Sequence, residues 1–160
     1  MMIENHHKDY YNLVEVSIHK KKRVSPFNLN ITCPKDAARF FSHMLAKKDR
    51  EVLGVIGLDI KNKITYFEIA HIGTLSQNLI HPREIFKAAI LTNSHAIIIA
   101  HNHPSGHVDP SLADRNATKQ MTQAGELIGV TLIDHLIVTN DKYYSSKENK
   151  ESYIGGGSNV

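Results

Sequence analysis

Ala96-Ile97-Ile98-Ile99-Ala100-His101-Asn102-His103-Pro104-Ser105-Gly106 is an apolar run that ends abruptly in two histidines and a turn signal. Residues 96–100 are short, apolar and rich in β-branched side chains, so they read as a buried strand. Side chains at i and i+2 of a strand share a face. An extended backbone through Asn102 therefore points His101 and His103 the same way. Pro104 supports this, because the residue before a proline is pushed toward extended geometry. Pro104-Ser105-Gly106 then ends the strand in a turn.

A carboxylate follows at a telling distance. Ser111-Leu112-Ala113-Asp114 has the form of a helix N-terminus with Ser111 as N-cap. Ala113, Ala117, Met121, Ala124 and Ile128 then recur at helical spacing and predict one apolar face. Asp114 falls in the first turn, where the macrodipole favours an ionised carboxylate. A metal requires that ionised form. A strand end and a helix start joined by a tight loop can bring His101, His103 and Asp114 to one point. Three protein ligands leave a fourth position open for water, as in catalytic zinc sites. Each part also has a plainer reading. Ser111 and Asp114 alone are what a capping box requires, and a chain with 11 histidines will hold some close pairs by composition.

Length and composition frame this site. A chain of 160 residues is expected to form one domain with a real core. Apolar residues at 41% and charged residues at 22% are ordinary for a globular protein. No apolar stretch approaches the ~18 residues a membrane span needs, and residues 1–10 lack the apolar core of a signal peptide. Cys33, the single cysteine, allows no internal disulfide and no thiolate cluster. The expectation is a cytoplasmic protein. The net charge of +3 says little about partners. Lys20-Lys21-Lys22-Arg23 could touch phosphates or simply form a solvated edge. No aromatic residue interleaves with it to make a base-stacking platform.

The rest of the chain alternates between the two periods. Tyr11 to His19 reads as a strand. Cys33-Pro34 opens a helix to about Ala46, with Pro34 suited to the first helical position. Glu51 to Asp59 is a buried strand, Lys61-Asn62-Lys63 turns the chain, and Ile64 to His71 returns as a hairpin. His81-Pro82 starts a helix to about Thr92. Val130 to Thr139 is a strand, and Tyr143-Tyr144 belongs to a last short one. From about residue 146 the polar, glycine-ending stretch reads as a flexible tail. Strands and helices mix without strict βαβ regularity, so the fold class is α+β, close to α/β, with one mixed sheet and helices packed on it. No dinucleotide fingerprint, P-loop, serine-hydrolase elbow or H-E-x-x-H occurs.

His101-Asn102-His103-Pro104-Ser105-Gly106 followed by Ser111-x-x-Asp114 resembles the JAMM metalloprotease motif as it occurs in RadC proteins. Gly73-Thr74-Leu75, His81-Pro82-Arg83-Glu84 and Asp134-His135-Leu136-Ile137 look like further RadC segments in the same order. The resemblance covers roughly residues 32–145, with residues 1–31 as an N-terminal strand region and 146–160 as the tail. It implies an MPN-type domain, a curved mixed sheet with flanking helices, and one zinc ion. His101, His103 and Asp114 would hold Zn²⁺. Ser111 would place a hydrogen bond near the reacting oxygen. Glu51, at the start of its apolar strand, would take a proton from the activated water and deliver it to the leaving amine.

Pattern alone does not select Glu51, since Asp49, Asp59, Glu68 and Glu84 also lie on or near predicted elements. Glu84 at a helix start is explained by the dipole, and Glu68 in an alternating strand is expected to face solvent. One departure is His107, where RadC proteins commonly carry an acidic residue; a plain loop role is expected. Longer RadC proteins also carry a helix-hairpin-helix region, which this chain is too short to hold. His135 follows the family pattern without an assignable chemical role. The resemblance thus implies a zinc hydrolase of the JAMM type acting on an amide or isopeptide bond of a peptide, protein or conjugate. A rival reading is a DNA-repair-associated factor that processes or binds nucleic acid. A third is a non-catalytic scaffold, disfavoured by retention of the ligands and Glu51.

Overall fold

The computed structural model describes residues 15–19, 30–73 and 80–155. Its elements follow in the order α1 (Pro34–Leu45), β1 (Val52–Leu58), β2 (Ile64–Ile72), α2 (Pro82–Leu91), β3 (Ala96–Asn102), α3 (Leu112–Ile128), β4 (Thr131–Val138), β5 (Lys142–Ser145) and β6 (Lys150–Tyr153). The six strands form one mixed sheet ordered β2-β1-β3-β4-β5-β6. Only β3 and β4 pair in parallel, bridged by α3, and every other neighbour is antiparallel. This is the α+β class read from the sequence.

Side-chain alternation sorts the core into two layers. Val52, Ile56, Leu58, Ile98, Ala100, Leu136 and Val138 pack with Phe40, Phe41 and Leu45 of α1. Leu53, Val55, Ile97 and Ile99 pack with Ile85 and Phe86 of α2 and Met121 of α3. The sheet is therefore covered on both faces, which is why β1 and β3 are buried at every position. Burying such side chains stabilises by about 25 cal/mol per Å² of apolar surface removed from water.

The α3–β4 connection is tight. Gly129 caps α3 with φ 74°, a left-handed conformation that costs other residues. Gly125 lies so close to the chain that a Cβ there would meet the Val130 carbonyl oxygen at 2.4 Å. Within β4 the pairing slips: Ile97 pairs Leu132 but Ile98 pairs Asp134, so Ile133 is an extra residue. The slip puts Leu132 and His135 on the same face, the one covered by α2 and α3.

Two readings need correction. Residues 15–19 are exposed and carry no strand, although Val16 and Ile18 alternate with polar neighbours. Alternation is a local signal, and a strand also needs a ladder partner, which these residues lack among the described residues. Residues 11–14 of that expected strand lie outside the described residues, as do Lys20–Arg23, Thr74, Leu75 and Gly156–Ser158. The polar stretch from residue 146 is not simply a tail. Ser146–Asn149 is a turn, Asn149 takes φ 51°, and β6 returns along β5 to bury Ile154. Its polarity marks an edge strand with a wet side rather than a lack of structure. Among the described residues no helix is long and apolar enough to cross a membrane.

Candidate metal centre

His101 and Asn102 are the last two residues of β3, and the antiparallel register sets Leu53 of β1 opposite His101. Strand alternation turns His101 with Ile97 and Ile99 toward α3, and His103 follows by the same two-residue step. On the facing side Ser111 caps α3. Its Oγ accepts from the Asp114 backbone N–H at 3.1 Å, while Asp114 Oδ2 accepts from the Ser111 N–H at 2.8 Å and hydroxyl at 2.6 Å. This capping box fixes the Asp114 side chain and leaves Oδ1 facing His101.

The three side chains meet. His101 Nε2 lies 3.0 Å from His103 Nε2 and 3.3 Å from Asp114 Oδ1, and His103 Nε2 lies 3.9 Å from Asp114 Oδ2. All three ligand atoms fall within 4.8 Å of one another. Bonds of about 2.0–2.1 Å in a tetrahedral shell put ligand atoms about 3.3 Å apart, so the spacing suits one small divalent cation. His101 and Asp114 are fully or nearly buried, whereas the His103 side chain keeps 15% of its surface exposed. The cluster is thus closed by the core on one side and open to solvent on the other.

His101 is held in its neutral form. Burial pushes His101 well below the usual imidazole range, with His135 and His103 pushing the same way. The His103 ring is oriented by a backbone acceptor, since its Nδ1 lies 2.9 Å from the His107 carbonyl oxygen. A carbonyl only accepts, so Nδ1 carries a hydrogen and Nε2 is the ring atom that faces the cluster. The loop position where RadC proteins commonly carry an acid thus contributes its carbonyl, while the His107 side chain is exposed.

Glu51, the expected acid, lies two residues before Leu53, the β1 residue that pairs with His101, so strand alternation extended from that pair gives it the same face. The half-buried Glu51 is tied to the hairpin end through its carbonyl, which accepts from Gly73 N–H at 2.8 Å. The competing acids have local roles. Asp49 pairs with Arg50 at the surface, Asp59 accepts from the Lys61 and Lys63 amides in its turn, and Glu84 pairs with Lys87 on α2. Glu68 was expected to face solvent, but it is half-buried on the α2 side with Oε1 shielded and unpaired, and burial raises its carboxyl pKa. It lies opposite Val55, a strand away from β3 and behind the level of His101.

Ser111 is tied to its own helix cap. Its hydroxyl hydrogen goes to Asp114 Oδ2, so in this arrangement it clamps a ligand carboxylate rather than offering a donor to the open side.

Three further residues join the site that motif reading did not assign. Asn102, buried between the histidines, faces the other way. Its Oδ1 accepts from Val52 N–H at 2.8 Å, and its Nδ2 donates to the Arg50 carbonyl at 3.0 Å. Alternation predicts that opposite face, but nothing local shows what it meets there. His135 is fully buried with Nε2 at 2.9 Å from His101 Nδ1, and its Nδ1 is 2.7 Å from Thr118 Oγ1. Burial lowers its pKa to about 4, with Asp114 opposing and His103 adding to the shift. The neighbouring Asp134 has a structural task, accepting from Ser145 Oγ and the Lys147 N–H across the β5–β6 turn.

Comparison with known proteins agrees with this architecture. Residues 31–151 match the family described as a RadC-like JAB domain. A UPF0758 protein of Clostridioides difficile is 43% identical over 124 residues, 78% of this chain and 53% of that protein. A UPF0758 protein of Clostridium tetani is 43% identical over 136 residues, covering 85% of this chain and 60% of that protein. One from Chlorobaculum parvum is 40% identical over 132 residues, covering 82% and 60%. The chain spans little more than half the length of these curated relatives. The six-stranded mixed sheet with its helices is consistent with the JAB/MPN fold, and the His-His-Asp cluster lies within the matched residues. On the length of that match and the identity of these relatives, this chain belongs to the RadC-like JAB-domain family.

Proposed function

We propose that this chain is a zinc-dependent hydrolase of the JAMM type that cleaves an amide or isopeptide bond. The observation that carries the reading is the convergence of His101 Nε2, His103 Nε2 and an Asp114 oxygen at a half-open position, with Glu51 two residues before Leu53, the β1 partner of His101. Two imidazoles and one carboxylate suit zinc, and an open fourth position distinguishes catalytic from structural sites. The chemistry such an ion would supply is Lewis acidity, which lowers the pKa of a coordinated water to about 7.

The chain's own residues supply the rest. Glu51 takes a proton from the attacking water and passes it to the leaving amine nitrogen. Asp114 is held by the Ser111 clamp and by its place in the first turn of α3. A Ser111 donor role toward a tetrahedral oxyanion requires its hydroxyl to rotate away from Asp114 Oδ2. The exposed edge of His103 marks the side from which a substrate arrives.

The test is metal analysis of the purified protein, followed by hydrolysis assays on peptide and isopeptide-linked fluorogenic mixtures. One zinc per wild-type chain is expected, with its loss in His103→Ala and Asp114→Ala. Glu51→Gln should keep zinc and lose hydrolysis. A wild-type chain refolded with zinc that retains no stoichiometric metal would remove the proposal.

A further inference from the structure

His135 stands 34 residues beyond His101 in sequence, on a different strand, and hydrogen-bonds to both His101 and Thr118. The Thr118 hydroxyl donates to the Asp114 carbonyl at 2.7 Å. A hydroxyl has a single hydrogen, so toward His135 Nδ1 the same oxygen can only accept, and His135 Nδ1 carries a hydrogen. In a neutral imidazole the lone pair is then on Nε2. That atom faces His101 Nδ1 at 2.9 Å, so His101 Nδ1 is the donor. The His101 lone pair is left on Nε2, the atom that faces His103 and Asp114.

We infer that His135 is a positioning residue which, with Thr118, presets His101 in its Nδ1–H tautomer and aims the Nε2 lone pair at the metal position. The relay begins and ends at ligands: the Asp114 backbone carbonyl orients Thr118, Thr118 orients His135, and His135 orients His101. The extra residue at Ile133 is what turns His135 onto this face of β4. Its consequence for metal binding rests on the hydrolase reading above, but the tautomer itself is a property of the metal-free chain. Partners of ligand histidines characteristically hold ring and tautomer, and their loss costs roughly 10–100-fold in metal affinity.

Two measurements test this. Long-range ¹H–¹⁵N correlation spectra of the metal-free wild-type protein report which ring nitrogen of each histidine is protonated. Nδ1–H is expected for His101 and His135. Zinc and cobalt(II) titrations of wild type, His135→Phe, His135→Gln and Thr118→Val then read affinity and the visible cobalt spectrum. His135→Phe should lose about 10–100-fold in affinity and shift the cobalt bands. His135→Gln, whose amide oxygen can accept from His101 Nδ1–H, should recover most of the loss, and Thr118→Val should fall between wild type and His135→Phe. Should His135→Phe fail to fold, the wild-type tautomers and the other two variants decide. His101 protonated on Nε2 in the metal-free protein, or a folded His135→Phe that binds cobalt as tightly as wild type, overturns the inference. A wild-type chain with the expected tautomers but no affinity for zinc or cobalt instead overturns the metal reading and upholds the relay.

Discussion

Asn102 Oδ1 accepts the Val52 backbone N–H at 2.8 Å, tying the residue between the two histidines to the residue that follows Glu51. The same amide also donates to the Arg50 carbonyl. One buried side chain therefore ties the end of β3, between the two candidate ligands, to the head of β1 next to Glu51. Replacing Asn102 with alanine should leave zinc content near wild type and reduce hydrolysis by about 10²-fold, the scale expected when a catalytic group moves by an ångström. Stability should drop by about 1–3 kcal/mol, since the buried Val52 N–H loses its acceptor. Metal analysis, rates and denaturant unfolding check the three parts together.

Ser111→Ala separates the clamp from the ligand. The substitution removes the hydroxyl that holds Asp114 Oδ2 and the acceptor for the Asp114 N–H. A lost N-cap costs about 1 kcal/mol of stability. Zinc affinity should also weaken by roughly tenfold, as for other partners of ligand carboxylates. Unchanged zinc affinity in a destabilised Ser111→Ala would show that the box is only a helix cap.

Acid should destabilise the metal-free protein in a defined window. His101 and His135 are both held below the usual imidazole pKa of 6.5 by burial, His135 to about 4. Between those values the unfolded chain binds protons that the folded chain does not, so stability is present above about pH 6.5 and is lost as pH falls toward 4. The slope is about 1.4 kcal/mol per pH unit for each imidazole that behaves this way. Urea unfolding from pH 7 to pH 4.5 measures it, and a flat profile over that span would contradict neutral burial of these rings.

His107 should tolerate change. Its side chain is exposed and only its carbonyl touches the site. His107→Ala should keep zinc affinity at wild-type level and shift stability by no more than about 0.5 kcal/mol. Titration with zinc would expose a hidden ligand role if affinity fell.

Much of this site was legible because its signals are local. A two-residue step on a strand puts His101 and His103 on one face whatever the strand packs against. A serine three residues before an aspartate caps a helix through contacts within one turn, and the structure keeps that cap. The core elements from α1 to β5 lie where hydrophobic period, proline and turn residues placed them. The same local logic failed at residues 15–19, where alternation had no partner strand, and at β6, where edge polarity resembled a tail.

What the linear chain settled by itself is the set of elements and the chemistry each one carries. The partnerships between them were decided only in three dimensions. Asn102 meets a backbone fifty residues earlier, and His135 meets His101 from a strand reached through α3. The face that His135 shows depends on the one-residue slip at Ile133, because a period of two reverses every side chain beyond a bulge. Such contacts join groups distant along the sequence, and no window of neighbouring residues contains both ends of them.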